Sequence, residues 1–128
     1  MIVLIKQFLE TIFMSIGDTI VYSDFNKVDI RVGTVLKVEP FPEARKAAFI
    51  LWVDFGPEVG ERKTSAQITK NYTLGNLIGK KVAAVINFQP KQIGPLMSEC
   101  LLLGFPDELG EVVLISPDRD VPDGGKLY

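Results

Sequence analysis

Residues 29–38, DIRVGTVLKV, alternate apolar and polar side chains, the period of a strand that buries one face. Ile30, Val32, Leu36 and Val38 fall on the apolar face with Thr34 between them, and Asp29, Arg31 and Lys37 on the other. Gly33 in mid-strand predicts a bend or bulge, which barrel strands need.

The rest of the chain repeats this grammar in short units. The Pro-containing loop EPFPEARKA leads to a second strand, AFILWVDF, which ends at the Gly56-Pro57 turn. Trp52 shares a strand face with Ile50 and is expected in the core. A third, more polar strand is ERKTSAQI, and TKNYTLGNLIGK reads as a short helical or turn segment closed by Gly79-Lys80. The fourth strand, KVAAVINF, sets Val82, Ala84, Ile86 and Phe88 on one face and Asn87 on the other. A loop, QPKQIGP, feeds a fifth strand, MSECLLLG; EVVLIS is a short sixth, and PDRDVPDGGKLY a turn-rich tail. Ser23-Asp24-Phe25-Asn26 reads as a capped turn of helix before the first strand. Three strands, a short helix, then two strands is the order of an oligonucleotide/oligosaccharide-binding (OB) fold. The expected class is therefore all-β, a five-stranded Greek-key barrel with a short helix between strands three and four and additions at both ends. Ligands of that fold lie on strands two and three, between the loops joining strands one-two and four-five. Here those loops are 39–48 and 89–96.

The 128 residues suit one domain, read as 24–128, preceded by an extension over 1–23. In the extension Ile5, Leu9, Ile12 and Ile16 recur at helical steps. The favoured reading is an amphipathic helix packed on the body or on a second subunit. Its polar face lacks the Lys/Arg cluster of a membrane-surface helix, and Lys6 and Glu10 leave the apolar run too short to span a bilayer. An alternative is that Met14 is the natural start, which the intact mass of the native protein would decide.

Chemistry is constrained by what the sequence lacks. It contains no histidine and a single cysteine, so a histidine-based triad and an internal disulfide are both excluded. Cys100 stands beside Glu99, whose charge would raise a thiol pKa, and is expected to be a small buried residue. Asp118, Asp120 and Asp123 lack the spacing and closing glutamate of a calcium loop; no metal and no cofactor is expected. The net charge of −2 hides a basic middle: residues 61–100 carry +4 and residues 101–128 carry −4. The middle contributes Arg62, Lys63, Lys70, Lys80, Lys81 and Lys91, which either solubilise the surface or form a phosphate-binding stripe. Asn87 either ties down a loop or reads a base edge, and Phe41 and Phe88 at loop borders either pack in the core or stack on bases.

The segments VDIRVGTVLKVEPFPEARKA, LWVDFG, TSAQI, IGKKVAAVINFQPKQIGPLMSECLLLGF and VPDGGKLY together resemble the tRNA-binding domain family. Within it they look most like the CsaA-type secretion chaperones. The resemblance covers residues 24–128. Asn87, Pro90 and Lys91 match the family's Asn-x-x-Pro-Lys/Arg segment, and Ser98 matches the serine of its Ser-x-Gly-Met segment. Cys100 and Leu101 stand where glycine and methionine are usual; Ser65 is kept in the third strand, with Ala66 in place of glycine. These departures fit the chaperone branch. The resemblance implies a non-enzymatic, cytoplasmic homodimer related to protein export. Its groove would hold unfolded or precursor polypeptides and have some capacity for tRNA. The residues expected at the groove are Phe41, Lys63, Ser65, Lys81, Asn87, Phe88, Lys91, Leu96 and Ser98. The alternative is a protein whose main ligand is structured RNA, with Lys63, Lys81 and Lys91 on phosphate.

Overall fold

The computed structural model describes residues 15–128. Residues 15–20 are exposed and without regular structure, and the expected N-terminal helix otherwise lies outside the described residues. A short helix α1 (Tyr22–Asn26) precedes β1 (Ile30–Pro40) and β2 (Phe49–Asp54). Then come α2 (Gly56–Val59), β3 (Glu61–Ala66), α3 (Leu74–Leu77) and β4 (Lys81–Val85). Five short strands follow: β5 (Lys91–Ile93), β6 (Leu96–Ser98), β7 (Leu101–Leu102), β8 (Gly104–Pro106) and β9 (Val112–Leu114).

One sheet carries the order β3-β2-β1-β4-β7, with antiparallel neighbours throughout. This is the expected Greek-key barrel, with β7 as its fifth strand. It is nearly closed: β3 and β7 share no ladder. The seam is bridged instead where Glu99 N–H donates to Lys63 O at 2.8 Å and Thr64 Oγ1 donates to Cys100 O at 2.7 Å. The interior is filled by Leu51, Val53 and Phe55 from the second strand and its turn, by Val35 and Val82, and by Leu77 of α3.

Strand β1 departs from simple alternation. Pairing with β2 slips between Val35 and Lys37, so Leu36 is an extra residue at a β-bulge. The bulge changes the phase: Val35 and Val38 both point inward, and Leu36, expected inside, is half exposed. Gly33 lies ahead of the bulge in close packing. A Cβ there would stand 2.7 Å from Phe55 Cδ1 and Val53 Cγ1 and 2.8 Å from Asp54 O. The slip also decides Trp52. It pairs with Lys37 on the outer surface, half buried, with the Lys37 ammonium 4.6 Å from its ring centroid. The core position expected for Trp52 is corrected accordingly, because Leu51 and Val53 are the inward residues of β2.

Three further expectations change. Phe88 is not the last inward residue of the fourth strand, because β4 ends at Val85 and Phe88 is 59% exposed. The segment 89–96 is not an open loop: β5 and β6 form a hairpin turning at Gly94 (φ 55°) and Pro95. The expected fifth strand thereby splits into β6 and β7. Finally, α1 starts after Val21, whose N–H is bonded by the Asp24 carboxylate at 3.3 Å, so Ser23 is not its cap.

The turn-rich tail completes the edge of β1. Pairing of β1 with β2 begins only at Thr34, so residues 30–33 lack a partner on that side. The tail supplies one: Gly124 N–H donates to Val32 O, Val32 N–H to Gly125 O and Leu127 N–H to Ile30 O. Gly124 (φ 91°) is required there, since a Cβ would meet Phe55 O at 2.5 Å.

Candidate functional site

The hairpin β5–β6 folds back over the outer face of the barrel. Leu96 is its anchor, buried with Phe41 and Ala48 in a second small core that also takes in Ala44, Ile50 and Ile93. This core fixes the loop after β1 and the hairpin side by side. Between them, β3 and β7 lies a cleft of about 870 Å³. Ile93, Leu101, Leu102 and Val112 supply apolar wall over the buried Ile68 and Leu114, and the exposed Arg45, Lys46 and Lys91, with Glu43, are its charged lining. A second hollow of about 450 Å³ adjoins it, sharing Ser65, Lys91, Ile93 and Leu101 and extending to Phe88, Ser98 and Glu99. The two form one groove along the unclosed seam of the barrel.

Of the expected site residues, Ser65, Phe88, Lys91 and Ser98 line this groove. Lys91 and Phe88 are exposed. Ser98 is partly committed, its hydroxyl lying 3.0 Å from Thr64 Oγ1 and donating to Cys100 O at 3.2 Å. Phe41 and Leu96 are buried beneath the groove and present no open face to a ligand. The other three lie elsewhere. Asn87 accepts from Asp29 N–H at 3.0 Å and donates to Lys27 O at 2.7 Å, tying the approach to β1 to the end of β4. Lys81 is paired with Asp123 at 2.7 Å. Lys63 stands beside Trp52 in the β2–β3 register, outside the groove lining. Sequence reasoning passed over Arg45, Lys46, Ile93 and Leu101. The cation pair in EPFPEARKA was a visible signal; the two apolar residues gave none, since a strand pattern does not say which face meets solvent.

Cys100 is poorly placed to act as a nucleophile. Burial pushes the Cys100 thiol up to about 12, against the smaller opposing effects of the Thr64 hydrogen bond and Arg62. Glu99 is occupied as an acceptor for Lys63 N–H at 2.9 Å. Among the described residues no group of three His, Cys, Asp or Glu side chains is placed to hold a metal ion. What the arrangement provides is an elongated apolar surface with a cationic rim and an incomplete sheet edge.

Other barrels of this strand order bind oligonucleotides and oligosaccharides beside the loops that follow their first and fourth strands, and here those loops flank the groove. Residues 30–126 match the tRNA binding domain family, and the chain belongs to that family. Within it, the chain is similar to solved structures of the chaperone CsaA. That from Bacillus anthracis is 44% identical, with a TM-score of 0.81, covering 87% of this chain and 100% of that one. The CsaA chaperone from Picrophilus torridus is 46% identical, with a TM-score of 0.80, covering 86% and 100%. A methionine–tRNA ligase of Flavobacterium johnsoniae is 35% identical over 110 residues, which are 86% of this chain but 15% of the ligase. The chain thus spans about one seventh of the length of the curated relatives it matches, and shares only that portion with them.

Proposed function

We propose that this protein is a binding protein without catalytic activity, a chaperone that holds unfolded or precursor polypeptides in the groove at the barrel seam. The observation that carries the reading is the groove itself: apolar along Ile93, Leu101, Leu102 and Val112, cationic at Arg45, Lys46 and Lys91. Such a surface suits an extended chain whose side chains enter shallow apolar seats while its charges meet the rim. In this reading Ser65, Phe88, Lys91 and Ser98 contact the ligand, whereas Phe41 and Leu96 shape the groove from below. A cytoplasmic homodimer, with a role in export, would double the sites and add avidity. Exposed Phe105, Val113 and Leu109 on the β8–β9 hairpin are the apolar surface such a dimer would cover. No helix among the described residues is long and apolar enough to cross a membrane.

A second reading has a specific observation behind it. Phe88, 59% exposed beside Lys91, is a stacking surface next to a cation, which is how single-stranded or end regions of tRNA are held. Salt separates the two. Binding of a reduced, carboxymethylated protein should change little between low and moderate salt, whereas tRNA binding through several phosphates should weaken steeply. If neither ligand gives a signal, both readings fall.

A further inference from the structure

We infer that the groove takes its polypeptide as an added strand, paired with the free edge of β3 at Ser65. The inference rests on the polypeptide-binding reading above and specifies its mode.

Strand β3 is an outer strand of the five-stranded sheet, and its backbone alternates in direction. Phe55 N–H donates to Gly60 O at the turn, so Arg62, Thr64 and Ala66 bond toward β2, and Lys63 and Ser65 turn their backbone groups outward. Lys63 follows this rule: its O accepts from Glu99 N–H at 2.8 Å and its N–H donates to the Glu99 carboxylate at 2.9 Å. Ser65 has the same orientation, yet among the described residues its backbone N–H and C=O have no backbone partner across the seam. Thr64 Oγ1 lies 3.4 Å from Ser65 O, but its one proton serves the 2.7 Å bond to Cys100 O.

An unpaired edge is a template for another strand, and proteins normally blunt it. Here Glu99 blunts the edge at Lys63 and stops short of Ser65, which lines both parts of the groove. Ile93 and Leu101, shared by both parts, offer apolar seats for alternate side chains of an added strand. Arg45, Lys46 and Lys91 against the single Glu43 favour acidic residues in the peptide. RNA would use the cations, but it carries no peptide ladder to pair with the edge.

The probe is a short synthetic peptide alternating valine and serine with two aspartates at one end, and its analogues N-methylated on one edge or the other. One analogue should lose at least about tenfold in affinity and the opposite-edge analogue should not, because only one edge pairs. Ser65→Pro, which removes the N–H at an outer strand where proline is tolerated, should lose a similar factor. Equal thermal midpoints of the variant and the wild type confirm that folding is unaffected, and the N-methyl series does not depend on it. Equal affinity of all N-methyl analogues overturns strand addition, as does failure of the peptide while the carboxymethylated protein binds. Failure of both peptide and unfolded protein removes the polypeptide-binding reading itself. Loss of an RNA oligonucleotide on Ser65→Pro with peptide binding intact also overturns the inference, assigning the amide to phosphate.

Discussion

Lys81 and Asp123 meet at 2.7 Å, joining the start of β4 to the C-terminal tail. The same Asp123 oxygen accepts the Thr34 hydroxyl at 2.6 Å. The carboxylate is therefore the pin that holds the tail along β1, where Gly124, Gly125 and Leu127 complete its edge. Lys81 is engaged in structure, and its removal should act on stability before it acts on any ligand.

That pin predicts a pH dependence with a definite sign. Burial pushes Asp123 up, but the hydrogen bonds from Lys81 and Thr34 outweigh it and hold the carboxyl below its ordinary value of 3.8. A depressed folded pKa means a contribution that is complete above the unfolded value and is lost as pH falls below it. Asp123→Asn should cost about 1–2 kcal/mol near neutrality. The gap between wild type and variant in denaturant melts should narrow as pH falls through and below about 3.8. A gap that stayed constant down to pH 2, or grew, would remove the pin from the account.

The cationic rim predicts a difference in salt slope. If Lys46 and Lys91 contact phosphate, Lys46→Ala with Lys91→Ala should flatten the log–log salt dependence of tRNA binding by about 0.7 per lysine. Binding of an uncharged apolar peptide should be nearly unchanged. Fluorescence anisotropy at a series of salt concentrations reads both. An unchanged slope for tRNA would place the phosphates elsewhere, with Lys63 beside Trp52 the next surface to examine.

The barrel was legible because its signals are local. Alternation, turn residues and the position of one short helix predicted the order that β3-β2-β1-β4-β7 then realised. The bulge at Leu36 was not legible: Gly33 announced an irregularity, but the slip falls three residues later and reverses which of Val35 and Leu36 is inside. Trp52 failed for a related reason, since sharing a face with Ile50 says nothing of whether that face is inner or outer. The candidate groove was legible in part. Ser65 and Ser98 came from resemblance and Lys91 from both charge and resemblance, and the three lie together, whereas Arg45 and Lys46 enter only because Leu96 pulls the hairpin against their loop. That contact joins residues about fifty apart in sequence and has no local pattern.

Asn87 shows how a matched motif residue can serve the fold. Its side chain accepts from Asp29 N–H and donates to Lys27 O, so both functional atoms are occupied. Asn87→Ala should cost about 1 kcal/mol, since the residue is exposed and water partly replaces the bonds. It should leave groove affinity within about twofold, in contrast to its expected role as a ligand contact. Calorimetric melts paired with peptide titration decide it: a tenfold affinity loss without destabilisation would return Asn87 to the site.

Thr64 and Cys100 give the last prediction, because together they hold the seam. Thr64 is 1% exposed, donates to Cys100 O at 2.7 Å and meets Ser98 Oγ at 3.0 Å. Thr64→Val keeps the shape and removes the hydroxyl, leaving Cys100 O with only the longer Ser98 bond at 3.2 Å. The expected cost is about 1–3 kcal/mol. Cys100 reports the consequence directly. In the wild type its thiol is buried and pushed up to about 12, so alkylation at pH 8 should proceed only through opening of the structure and be far slower than for a free thiol. In Thr64→Val the seam opens more often, and iodoacetamide labelling, followed by intact mass, should quicken in proportion to the lost stability. Labelling of the native wild type at the rate of an unfolded control would show that the seam does not shield Cys100.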